Sequence, residues 1–148
     1  MSFFNSIYLY IAAGGAFGAV TRYLISTWIY NKSEQVFPYG TFVVNLTGCF
    51  LLGLFYTLSL EKSVINAQFR TMITVGFIGA YTTFSTFSLE TINLIKEGSM
   101  GTALLYVGSS VILGLFSVWL GIGAANFFNQ IGERGEESDK SYRSGGTS

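Results

Sequence analysis

The amino-acid sequence predicts an all-α membrane protein of four transmembrane helices, the third of them broken. Three observations carry this expectation. Half of the 148 residues are hydrophobic and only 11% are charged; the mean hydropathy is +0.48, whereas a soluble domain carries about 25% charged residues. The charges are also segregated. None lies between Gln35 and Leu60, between Thr71 and Leu89, or between Gly98 and Gly132, and uncharged apolar runs of about 18 or more residues read as membrane-crossing helices. Finally, the segment Gly76 to Thr91, GFIGAYTTFSTFSLET, concentrates glycine and hydroxyl residues near the middle of the third run. These are poor choices for a continuous lipid-facing helix.

The four spans are expected at about 7–30, 40–60, 69–95 and 101–128. Roughly 20 residues cross a 30 Å hydrocarbon layer at 1.5 Å per residue, so the third and fourth spans tilt, break or protrude. The connections are short: Asn31 to Tyr39, which holds the single proline, Pro38; Glu61 to Gln68; and Lys96 to Ser99. Short loops force neighbouring helices to alternate in direction and bring both termini to one side. Glycines at 14, 15 and 18, at 48 and 53, and at 108, 114 and 121 are placed for close helix contact. Residues 1–132 thus form one four-span domain. Residues 133–148, rich in Glu, Ser, Gly and Lys without apolar periodicity, read as a disordered polar tail. The N-terminus lacks a basic region and a cleavage site, so the first apolar stretch is expected to be retained. Excluding the tail, Lys62 and Arg70 on one face balance Lys32 and Lys96 on the other; the tail adds Arg134, Lys140 and Arg143 to the first face, mixed with four acids. The positive-inside rule therefore leaves a tie, which permits insertion in both orientations. Four helices enclose too little space for a pathway, which points to a homodimer.

Several functions are excluded. Zero net charge removes a basic footprint for nucleic acid. The absence of histidine removes imidazole bases, ligands and proton relays, and the single Cys49 builds neither an internal disulfide nor a thiolate metal site.

A break in mid-membrane frees backbone carbonyls where there is no water. That is tolerated only where protein, an ion or a wet cavity satisfies them. Converging carbonyls near Gly79 to Thr83 suit a cation; the alternative is a straight helix whose hydroxyls bond back to the preceding turn. Phe84 and Phe87 share a helical face. They serve either as core packing or as ring edges, which are positive, aimed at a small anion held weakly enough to leave. Thr41 and Asn45 lie four apart on the second span, and Tyr106 and Ser110 four apart on the fourth, with Ser117 near the same face. All can donate hydrogen bonds to an anion losing its water, or simply join helices. Arg22 inside the first span must snorkel, pair or face water, where it would concentrate anions at a pore mouth. Glu90, the one carboxylate well inside an apolar span, either pairs with Arg22 or tunes an anion path by repulsion.

The stretch GFIGAYTTFSTFS resembles the signature of the Fluc/CrcB fluoride channels. GGAFGAVTRY resembles that family's glycine-rich first helix with its arginine, and GTFVVNLTGCFLLG its second-helix pattern. The likeness spans about residues 10 to 120, with three motifs in order. It implies an antiparallel, dual-topology homodimer with two pores in a lipid bilayer, of a bacterial inner membrane given the compact four-span form. A structural sodium ion at the dimer centre would be held by the backbone carbonyls of Gly79 and Thr82. The resemblance makes Phe84 and Phe87 the pore phenylalanines, with Ser85 and Ser88 beside them in the same motif. Asn45 lines the vestibule, and Ser110 and Tyr106 belong to the polar track. The implied function is passive export of cytoplasmic fluoride as protection against its toxicity. Two departures stand out: Ala80 replaces a second glycine before the break, and Gly114 stands where some relatives have serine.

The rival reading is a small proton-coupled multidrug exporter, which needs a titratable carboxylate deep in the first span; this chain has only Arg22 there. A tetraspan scaffold leaves TTFST unexplained. The spans offer no nucleophile–base pair, so an enzyme is not expected.

Overall fold

The computed structural model describes residues 2–32, 36–61 and 66–145. Lys62 of the charge tally and residues 146–148 of the tail lie outside them. Every described element is helical: α1 (Ser2–Tyr30), α2 (Tyr39–Glu61), α3 (Ala67–Thr71), a π-helical stretch (Met72–Ile78), α4 (Gly79–Tyr81), α5 (Phe84–Lys96) and α6 (Met100–Gly145). Three runs are long and apolar enough to cross a membrane: Tyr39–Ser59, Ala67–Lys96 and Met100–Gly132. α1 has the length, at 29 residues. Its three glycines, its hydroxyls and Arg22 dilute its hydropathy, so the span expected at 7–30 is not among the three.

Register gives the helix directions. Gly53 of α2 abuts Val118 and Ile122 of α6, while Gly121 abuts Phe50 and Leu54. Along the same pair Phe42 lies beside Tyr106 and Cys49 beside Gly114. Numbers rise together from 42/106 through 49/114 to 53/118, so α2 and α6 run the same way, with the α3-to-α5 run returning between them. α1 packs on the π-helical stretch through glycine. A Cβ at Gly14 would overlap the Met72 carbonyl, one at Gly18 the Phe77 carbonyl, and one at Gly76 would come within 2.8 Å of the Ile11 carbonyl. Lipid offers no hydrophobic drive between helices, so close backbone approach of this kind supplies the packing. Gly18→Ala is therefore expected to lower stability by about 1–3 kcal/mol, the usual cost of overpacking. Gly101→Ala, with nothing within 4 Å of its Cβ, should leave it unchanged; thermal melting in detergent compares the two. Gly108, placed for helix contact by the sequence, also meets nothing within 4 Å, and Gly114 makes only an ordinary contact with Cys49.

Between Tyr81 and Phe84 the backbone leaves the helix. Thr82 (φ −80°, ψ 156°) and Thr83 (φ −148°, ψ 118°) are both extended. Thr83 restarts the chain as the N-cap of α5, its hydroxyl accepting from the Thr86 amide at 3.2 Å. This is the usual way a threonine satisfies one orphan amide of a first turn. Past the end of α5 at Lys96 the chain turns at Gly98, whose φ of +79° suits glycine. The Gly98 amide donates to Ile95 and the Ser99 amide to Leu94. That paired closure turns the chain directly into α6.

α6 differs from expectation at its end. The tail read as disordered continues as helix to Gly145. Extending an existing helix costs far less than nucleating one, and residues 133–145 include helix-favouring Glu, Lys and Arg with no proline. Few side chains are buried. One cluster joins Leu94, Ala103 and Tyr106 to Phe37, Phe42 and Phe87, while Phe17, Leu104, Leu115 and many others face outward. Lipid, not water, suits such a surface.

Candidate functional site

The site grows from the two extended residues. In an extended residue the N–H and C=O point to the same side, as in a hydrogen-bonded strand pair. Asn45 on α2 meets both. The Thr83 amide donates to Asn45 Oδ1 at 2.8 Å, and Asn45 Nδ2 donates to the Thr83 carbonyl at 3.1 Å. Asn45 thus gives its carbonyl and one of its two N–H donors to the backbone of a single residue. The N–H that a continuous helix would give to the Gly79 carbonyl goes to Asn45 instead. The Thr82 hydroxyl and amide both donate to the Ile78 carbonyl, and Tyr81 is held by its hydroxyl against Thr47 Oγ1 at 2.8 Å.

A cavity of about 320 Å³ opens on one side of the break, walled by Asn45, Cys49, Thr82, Thr83, Phe84, Phe87 and Ser110 among others. The two rings lie 5.8 Å apart. Phe84 is 79% exposed, whereas Phe87 packs on Tyr106 at 5.0 Å. Ser85 is exposed, 3.3 Å from the Thr83 hydroxyl. Ser88 donates to the Phe84 carbonyl of its own helix. A second cavity, of about 240 Å³, is walled by Arg22, Ser26, Tyr30, Thr41, Thr83 and Thr86, with Ala19, Tyr23 and Val44. Thr83 is common to both.

Glu90 departs from both sequence readings. No ion pair joins it to Arg22. Its Oε1 accepts from Tyr30 at 2.5 Å and from Thr41 at 2.8 Å, and its Oε2 from Tyr106 at 2.8 Å. Tyr30 lies two turns beyond Arg22 on α1, and it is Tyr30 that reaches the carboxylate. Thr41 and Asn45 share a face of α2 yet serve different sites, and Tyr106 and Ser110 likewise diverge: Tyr106 is fully buried and Ser110 walls the larger cavity. Tyr30 and Thr83 carry more of this geometry than sequence reasoning allotted them. Thr83 stood within the break motif, but nothing local marked Tyr30.

The family model described as CrcB-like protein, Camphor Resistance (CrcB), matches residues 9–122. The chain belongs to the CrcB family. Its relatives include a protein of Acidobacterium capsulatum named Fluoride-specific ion channel FluC, 51% identical over 119 residues, covering 80% of this chain and 95% of the relative. Proteins of the same name from Geotalea daltonii and Hahella chejuensis are 44% and 49% identical, covering 80% and 77% of this chain and 96% and 90% of theirs. CrcB relatives are thus named as channels, not enzymes. With three apolar helices of membrane-crossing length, this CrcB chain is a multi-pass membrane protein.

Proposed function

We propose that the protein is a passive fluoride-selective channel that exports cytoplasmic fluoride and so protects against its toxicity. The reading has α1 as a fourth span and an antiparallel, dual-topology homodimer in a bacterial inner membrane. The observation that carries it is the cavity beside the break. Two adjoining phenyl rings and Ser110 offer positive ring edges and a hydroxyl donor without a full charge to trap the ion. The relatives' printed name supports fluoride as that ion. Arg22, on the smaller cavity, would raise the local anion concentration.

A structural sodium ion fits the chemistry at the break. Among the described residues no group of three or more His, Cys, Asp or Glu could hold a metal. Neutral oxygen donors such as the Gly79 and Thr82 carbonyls suit a singly charged hard cation. Bound there, the ion would supply a fixed positive charge beside the anion path; the chain's own part is to hold the break open and present those carbonyls. A proton-coupled exporter gains nothing from the structure, since all three hydroxyls at Glu90 engage its carboxylate and α1 carries no acid among its described side chains.

The test is passive efflux. Liposomes holding the purified protein and potassium fluoride are treated with a potassium ionophore, and external fluoride is followed with an ion-selective electrode beside a chloride-loaded control. Rapid fluoride release with little chloride release is expected. Well-folded protein that releases no fluoride would end the channel reading.

A further inference from the structure

We propose that Asn45 acts in this chain as a positioning residue that keeps Thr83 extended, and thereby fixes both the wall between the two cavities and the start of α5 with its phenylalanines. The role in conduction rests on the fluoride-channel reading above; the backbone clamp does not.

The case is geometric. A primary amide presents one acceptor and two donors in a plane. It can satisfy the N–H and C=O of a single residue only when both point the same way, which they do in an extended residue and not in a helix. Thr83 has that conformation, and Asn45 takes both groups, at 2.8 and 3.1 Å. Thr83 is buried, at 8% exposure, so water is a poor substitute. The same residue caps α5 through its hydroxyl, bonded to the Thr86 amide and to Thr86 Oγ1. Phe84 follows it directly and Phe87 one turn later. Thr83 is also the wall shared by the Arg22 cavity and the phenylalanine cavity. A helical Thr83 would lose both bonds, shift the cap and move the rings. Asn45 also walls the larger cavity, with one of its two N–H donors committed to the Thr83 carbonyl.

The measurement is hydrogen exchange at the Thr83 amide in the full-length protein, read by NMR, alongside fluoride efflux. Asn45→Leu keeps the size of the side chain and removes both bonds. Thr83 should then exchange roughly tenfold faster or more, as for a backbone bond opened to local fluctuation, and efflux should fall. Asn45→Asp adds a discriminating arm. Protonated, its carboxyl donates to the carbonyl and accepts from the amide; ionised, it faces the carbonyl with repulsion. After correction for intrinsic exchange, Thr83 protection in this variant should rise as pH is lowered through the carboxylic acid range, while the wild type stays flat. Unchanged Thr83 exchange in Asn45→Leu would overturn the clamp, whatever the efflux shows. Faster exchange with wild-type efflux would overturn the positioning role. Wild-type protein that moves no fluoride would remove the channel reading and the conduction role together, leaving the clamp to be judged by exchange alone.

Discussion

Phe84→Ile should abolish most fluoride efflux while leaving the melting temperature of the protein almost unchanged. The Phe84 ring is 79% exposed in the single chain, so its loss removes little packing within that chain. Isoleucine keeps an apolar side chain but removes the ring quadrupole and its positive edge. A drop of roughly tenfold corresponds to about 1.4 kcal/mol of added barrier, and a larger drop is expected if the rings are the narrowest polar contact on the path. Phe87→Ile should behave differently. That ring packs on Tyr106 and belongs to the cluster around Leu94 and Ala103. Its replacement should cost flux and also stability, by about 0.5–1.5 kcal/mol beyond the lost area. Efflux and thermal melting of both variants separate the two effects. Wild-type efflux in both would remove the rings from the ion path.

Glu90→Leu should be among the most destabilising single substitutions in the chain. The carboxylate gathers three hydroxyls from three helices: Tyr30 of α1, Thr41 of α2 and Tyr106 of α6. Tyr106 is fully buried and Thr41 is 2% exposed. Each would be left without its acceptor, at about 1–3 kcal/mol per unsatisfied group. Tyr30, 39% exposed, is closer to solvent and loses less, and Thr41 keeps its contact with the Tyr30 hydroxyl at 3.0 Å. Glu90→Gln should be milder, because its carbonyl still accepts from two hydroxyls and its amide can donate to the third. The decisive comparison is a double-mutant cycle. Tyr106→Phe alone removes one bond; in the Glu90→Leu background it should recover stability, since no orphaned hydroxyl then remains at that position. Additive losses would mean that the Tyr106 hydroxyl does not depend on Glu90.

Much of this was legible in residue order. The charge-free runs locate α2, α6 and the long third helical run, because membrane-crossing length and apolarity are properties of a contiguous segment. The glycines at 14, 18, 53 and 121 lie where helices touch, each with a backbone carbonyl of the neighbouring helix against it. The run TTFSTF carries its break in its composition, since threonines that cap and extend are weak in the middle of a helix. The spacing of Phe84 and Phe87 is enough to put them on one face of α5. The tail misled for a related reason: polar composition says that a segment cannot build a core, but not whether it can extend a helix that already exists.

Partnership was not legible. Asn45 and Thr83 are 38 residues apart, and Tyr30 and Glu90 are 60 apart. Whether Asn45 faced an open vestibule or a backbone, and whether Glu90 met Arg22 or three hydroxyls, depends on how far each helix is rotated and advanced against its neighbours. By itself the sequence determined which segments are apolar helices, which glycines could let them touch, and which short stretch is weakest as helix. Only the tertiary structure decided which polar group satisfies which. Hydropathy and periodicity are local sums along the chain, whereas a hydrogen bond between helices needs register correct to within an ångström.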